Sequence, residues 1–104
     1  MVTDLDAAPT ELLKVVAEPL RWRIIELLAE EELCVCHLVE ELGVNQPLVS
    51  HHLRVLRDAG LVSTSKHSYW TYYRLRPEAL APLAGRLVEL SVAEVAPDQR
   101  RPCC

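Results

Sequence analysis

Cys34 and Cys36, in the stretch ELCVCHLVEEL, are the residues of this sequence best equipped for chemistry, because a thiolate is both a nucleophile and a soft metal ligand. Their spacing sets a geometric condition. A helix turns about 100° per residue, so cysteines two apart would sit about 200° apart, on nearly opposite faces. In an extended segment residues two apart point the same way and two thiolates converge. If both bind one ion, residues 34–36 are extended, or become so at the expense of the helix that follows. His37, beside Cys36, is expected at the surface or supporting the site rather than as a ligand. Cys103 and Cys104 form a second pair, and adjacent cysteines make a strained, uncommon disulfide. The start MVTDLDAAPTELL is acidic where a secretory signal would be basic, and no run approaches about 18 apolar residues. The expectation is a cytoplasmic protein with no membrane partner, in which reduced thiols do metal or redox chemistry.

Charge points to a second kind of chemistry. The chain's net charge is −4, yet residues 45–76 carry Arg54, Arg57, Lys66, Arg74 and Arg76 against Asp58 alone. Residues 1–44 hold three basic and ten acidic side chains, so a basic middle follows an acidic first part. His51, His52 and His67 lie in the basic stretch as well. Such a distribution suits a polyanion better than the net charge suggests.

The elements that must position these groups follow from periodicity. With 104 residues, half of them hydrophobic, the chain has the makeup of one ordinary domain. Thr10 is expected to cap a first helix with Leu12, Leu13, Val16 and Ala17 at helical spacing. Pro19 breaks and restarts it. A second helix follows, with Leu20, Ile24, Leu27 and Leu28 on one stripe and Trp22 and Ile25 in the core beside it. A short third helix from Cys36 or nearby ends at Gly43. Asn45 caps a fourth, with Pro47 in its first turn, Val49, Leu53 and Leu56 as a buried seam, and Gly60 as its stop. LVSTSKHSYWTYYRL reads as a β-hairpin with a polar tip at 66–68, its Tyr69, Trp70, Tyr72 and Tyr73 serving cross-strand and core packing. A last helix opening at Pro77 repeats Leu80, Leu83, Leu87 and Leu90, more apolar surface than one small core needs. Residues 1–95 thus form one domain, and 96–104 a flexible tail that ends in the cysteine pair.

Two short helices joined at a tight glycine turn and followed by a hairpin make a winged helix-turn-helix, a mainly α fold whose second helix enters the major groove of double-stranded DNA. Removing the buried seam leaves Gln46, Ser50, His51 and Arg54 to face base edges or phosphates, flanked by Arg57, Lys66, His67 and Arg74 as phosphate contacts.

ELCVCHLVEELGVNQPLVSHHLRVLRDAGLV followed by YWTYYRL resembles the ArsR/SmtB family of metal-sensing winged-helix repressors, most closely its arsenic-responsive branch, over about residues 10–90. The resemblance implies five helices and a two-stranded wing, a homodimer through the first and last helices, a pseudo-palindromic operator and no enzymatic activity. It also implies arsenite or antimonite as the inducer, with no organic cofactor. One departure matters. Family members of that branch carry a third cysteine three residues after the second, where this chain has Val39. Cys103 or Cys104 can supply the replacement, with capture of an ion by that pair alone or an external thiol as the alternatives, which makes Cys34, Cys36, Cys103 and Cys104 the candidate metal ligands. Carboxylate and histidine ligands, which other members carry on the last helix, are missing, since residues 77–95 hold no histidine and only Glu78, Glu89 and Glu94 as acids. Thiolates as the concentrated ligands favour a soft ion, with cadmium or lead as the alternative inducer and a thiol-redox sensor on the same scaffold as a further one. A thioredoxin-like enzyme is disfavoured, because the chain has neither its Cys-x-x-Cys motif nor a βαβ pattern.

Overall fold

The computed structural model describes residues 2–98 and 100–103, with side chains from Pro9 onward. Helix α1 spans Val2–Ala17 and runs through Pro9. It therefore starts well before the expected cap at Thr10, and the missing N–H of Pro9 removes one ladder bond without ending it. Helix α2, Pro19–Leu28, begins where Glu18, in extended backbone, accepts the Arg21 amide at 2.9 Å. Pro19 sits in the first turn, where its lack of an N–H costs nothing. The helix buries Ile24, Ile25 and Leu28, but Trp22, expected in the core, is 50% exposed. Trp22 lies about 160° around the helix from Ile24 and about 120° from Leu28, so only its edge beside Ile25 borders the buried stripe.

Strand β1, Leu33–Cys34, leads directly into α3, Val35–Leu42. Gly43, at φ 68°, closes α3 in the left-handed conformation that glycine adopts without a Cβ penalty. Asn45 then caps α4, Gln46–Asp58, by accepting the Leu48 amide at 3.0 Å. At the far end of α4, Gly60 N–H donates to Arg57 O and Leu61 N–H to Leu56 O, a Schellman motif that drops Leu61 into the core. The helix-turn-helix is therefore α3 and α4, held by the caps its sequence encodes.

Strands β2, Val62–His67, and β3, Trp70–Leu75, form the hairpin, turning at Ser68 and Tyr69 with Ser68 at φ 63°. The expected two-stranded wing is joined by a third strand. Short β1 pairs antiparallel with β3, Leu33 opposite Tyr73 and Cys34 opposite Tyr72, giving the order β1-β3-β2. Tyr72 and Tyr73 are partly buried as packing residues. Tyr69 and Trp70 are not, at 93% and 58% exposed, because they form the turn and the first, outermost pair of β3.

A 3₁₀ turn, Pro77–Leu80, opens into α5, Ala81–Ser91, which packs on α1. The core is built from Ile24, Leu38, Val49, Leu53, Leu56 and Leu61, so α2, α3, α4 and the turn that leads into β2 all contribute to it. On α5 the apolar stripe divides. Leu83 is buried and Leu80 partly so, whereas Leu87 and Leu90 stay half exposed on the outer surface. No described helix is long and apolar enough to cross a membrane.

Candidate thiolate centre and DNA interface

The two cysteines converge with the helix intact. Cys34 is the N-cap of α3, at φ −93° and ψ 172°, and the helix proper begins at Val35. An extended N-cap aims its side chain back over the first turn, which is how capping side chains reach the second and third helical residues. The Cys34 and Cys36 sulfurs consequently lie 2.9 Å apart. Only one residue has to be extended, not residues 34–36, so the expectation that convergence shortens α3 is corrected.

His37 completes the cluster. Cys34 N–H donates to His37 Nδ1 at 3.2 Å, and that nitrogen is 3.3 Å from Cys34 Sγ. The donor atoms of Cys34, Cys36 and His37 all lie within 4.8 Å of one another, in the one such group among the described residues. His37 was expected at the surface or in a supporting place, although its spacing of three from an N-cap cysteine is the signal that brings them together. Cys103 is exposed in the tail and outside this group, and Cys104 lies outside the described residues.

The two thiols are unequal. Burial pushes the Cys34 thiol up, but the hydrogen bond from Cys36 and those from the backbone N–H groups of the first turn of α3 outweigh it and hold Cys34 below the ordinary thiol range. Cys36 is raised, first by that shared hydrogen bond with Cys34. Cys34 is therefore the more acidic thiol of the pair, an order that a helix N-terminus favours. A cavity of about 290 Å³ lies beside the pair, lined by Cys34, Val35, Cys36, Gln46, Trp70 and Thr71. The centre thus opens toward the start of α4 and the outer end of β3.

Helix α4 presents the expected surface. Val49, Leu53 and Leu56 are buried, while Gln46, His51, Arg54 and Arg57 are exposed and Ser50 is partly so. Ser50, Arg54 and Arg57 line one open groove with Tyr73. Arg54, Arg57 and Lys66 have no carboxylate within ion-pair distance among the described residues, unlike Arg23, Arg76 and Arg86. Lys66 and His67 are exposed near the wing tip, with His67 Nε2 3.2 Å from Ser65 Oγ. Arg74 is farther along β3 and faces Glu32 at 3.9 Å, so it is already engaged by an acid.

His52 behaves differently from its basic neighbours. It is buried, with Arg21 Nη1 3.0 Å from its Nδ1 and Glu18 Oε1 3.8 Å from its Nε2. Arg21 Nε also donates to Val15 O at 2.6 Å. The recognition helix is thereby tied to the junction of α1 and α2. Burial lowers the His52 pKa below its ordinary value, Glu18 opposing and Arg21 and His51 adding to the shift. As an arginine can only donate, Nδ1 is the acceptor and the ring proton sits on Nε2.

Comparison with known proteins bears on the fold and the family. Residues 18–64 match the family described as bacterial regulatory protein, arsR family. An uncharacterized HTH-type transcriptional regulator of Methanocaldococcus jannaschii is 42% identical over 64 residues, covering 61% of this chain and 72% of that one. The arsenical resistance operon repressor of Escherichia coli is 44% identical over 70 residues, covering 66% of this chain; the match spans only 60% of the relative's own length. Among solved structures, a possible transcriptional regulator for arsenical resistance superposes with a TM-score of 0.69 at 38% identity, covering 78% of this chain and 84% of the other.

Proposed function

The chain belongs to the arsR family of bacterial transcriptional regulators, and from that premise we propose that it is a homodimeric repressor released from its operator when a thiophilic metal or metalloid ion binds Cys34 and Cys36. Its relatives are regulators and not enzymes, and the exposed face of α4 suits that role. The observation that carries the sensing is the 2.9 Å separation of the two sulfurs at the first turn of the helix-turn-helix. Two thiolates that close can both lie at about 2.3 Å from one ion. The names of relatives that act in arsenical resistance support arsenite and antimonite as inducers. Thiolate softness supports cadmium and lead equally.

Gln46, Ser50, His51 and Arg54 meet the major groove, with Arg57, Lys66, His67 and Arg74 as phosphate contacts; Arg74 leaves Glu32 to do so. Residues 96–104 can span about 30 Å if extended, enough for Cys103 or Cys104 to supply a thiolate to an ion that needs one more. Exposed Leu13 on α1, with Leu87, Val88 and Leu90 on α5, form the surface against which a second copy packs, and a two-fold dimer reads a pseudo-palindrome. Such a regulator works in the cytoplasm, where its operator is.

The test is a DNA-mobility titration of the reduced chain on the region upstream of its gene, against arsenite, antimonite, cadmium, lead, zinc and nickel. Release by thiophilic ions and retention with nickel support the reading. Release by peroxide alone, restored by reductant, would transfer the pair to redox sensing, which the proximity of the two sulfurs also allows.

A further inference from the structure

We propose that His52 is a positioning residue for DNA recognition: through Arg21 it fixes the angle at which α4 meets the α1–α2 junction, and a proton on its ring releases that hold. The inference rests on the reading of α4 as the helix that enters the major groove, and goes beyond the sensing of ions. Its foundation is one guanidinium that joins three helices. Arg21, on α2, donates from Nε to Val15 O of α1 at 2.6 Å, and its Nη1 stands 3.0 Å from His52 Nδ1 of α4. Its backbone N–H is held by the Glu18 carboxylate at 2.9 Å. A guanidinium carries its donors in a fixed planar fork, so the two side-chain contacts together define a direction as well as a distance. Among the described residues His52 is the buried polar side chain of the core, at a place where an apolar side chain would need no partner. Helix α1 packs on α5, the pair that meets a second copy under the proposed function. The angle of α4 to that pair then sets the separation of the two recognition helices, and so the half-site spacing that a dimer reads. Exposed His51 has its ring centroid 5.1 Å from that of His52, so movement of the buried ring reaches the outer face of α4.

The hold has two states. With the ring neutral, Nδ1 accepts from Arg21, and Nε2 carries the proton, 3.8 Å from Glu18 Oε1. A proton from solvent adds to Nδ1, no other covalent bond changes, and the ring becomes a donor at both nitrogens. Arg21 then meets a donor and a like charge, whereas Glu18 gains a cation to pair with. The charged groups that face His52 are Glu18 at the junction, Arg21 on α2 and His51 on its own helix, and of these Glu18 alone favours the charged ring. Protonation thus trades Arg21 for Glu18, and α4 loses the contact that runs on to α1. By reciprocity, an operator that selects the arrangement held by Arg21 weakens the binding of a proton to His52. Exposed His51 and His67 respond in the opposite sense, since nearby phosphates favour a charged ring.

The test uses the reduced full-length chain and a duplex carrying the region upstream of its gene, with the histidine rings titrated by NMR in the free and the DNA-bound protein. The His52 midpoint should fall on binding DNA, while those of His51 and His67 rise. Operator affinity is followed by anisotropy from about pH 8 to about pH 5, over the range in which far-ultraviolet dichroism stays native. It should fall in the wild type relative to His52→Gln by up to about tenfold for each pH unit below the free-protein His52 midpoint, because glutamine keeps an acceptor for Arg21 and takes no proton. His52→Leu fills the space without an acceptor and should bind weakly at every pH. Wild-type affinity in His52→Leu, or a His52 midpoint that DNA leaves unmoved or raises, would overturn the inference; should His52→Leu fail to fold, the midpoints of the wild type decide alone. Arg54→Ala separates this failure from that of the premise. Full affinity in Arg54→Ala would bring down the reading of α4 and the inference with it, whereas weak binding there beside a silent His52 would remove the inference alone.

Discussion

Arg54 carries a charge that no carboxylate among the described residues pairs with, on the exposed face of a helix whose opposite face is sealed by Val49, Leu53 and Leu56. Replacing it with alanine should weaken operator binding by about 1–3 kcal/mol while the far-ultraviolet dichroism stays unchanged. Undiminished binding would mean that the helix is turned in the groove. His52 makes a prediction of the opposite kind, about stability. Its folded pKa lies below the ordinary 6.5, so the folded state prefers the neutral ring. The contribution is complete above 6.5 and is lost as the pH falls from there through the lower folded value, since the unfolded chain takes up the proton first. Wild type should therefore lose thermal midpoint over mildly acid pH more steeply than His52→Gln; equal slopes would deny the burial its consequence. The buried seam and the exposed residues of α4 were legible from period alone. His52 follows Val49 by three, a spacing that sets it on the seam's side, although in the sequence it stands out only as part of the basic stretch. Its partners Glu18 and Arg21 are far away in sequence, and no local pattern announces them.

Under the proposed function, the first turn of α3 is the element on which sensing and DNA reading meet. Its caps show what sequence can and cannot convey. Asn45, Pro47 and Gly60 carry their positions in their chemistry, and α4 begins and ends where they direct. Strand β1 has two residues, too few for any periodicity, and without it Cys34 could not be recognised as an extended cap. The convergence of the thiolates was therefore foreseen only at the cost of the helix, when one cap residue suffices. The wing was visible as a hairpin, but which aromatics face inward depends on its register, His67 opposite Trp70. Exposed Trp70 lines the cavity beside Cys36, and this gives an optical handle on the coupling. In a Trp22→Phe background, a thiophilic ion should change Trp70 emission in step with release of DNA. A constant emission during release would exclude the wing from the response.

At the scale of the whole molecule, the single chain leaves apolar surface uncovered. Its radius of gyration is 18.0 Å, against about 13 Å for a compact domain of this length, and α5 carries Leu87, Val88 and Leu90 at 49%, 60% and 55% exposure. Apolar surface on two packed helices, left open by the chain's own core, is what a second copy would cover. Leu87→Glu should halve the mass in sedimentation and weaken operator binding, because one half-site then binds alone. A dimer undisturbed by that charge would move the interface off α5. The proposed function requires that an ion on the α3 thiolates lower the affinity of the chain for its operator. The most direct measurement is fluorescence anisotropy of labelled operator with reduced wild type and Cys34→Ser, each titrated with cadmium and then with arsenite. The account predicts release of the wild type by at least one of these ions and an unresponsive, still bound Cys34→Ser. Release of Cys34→Ser at wild-type ion concentrations would contradict it.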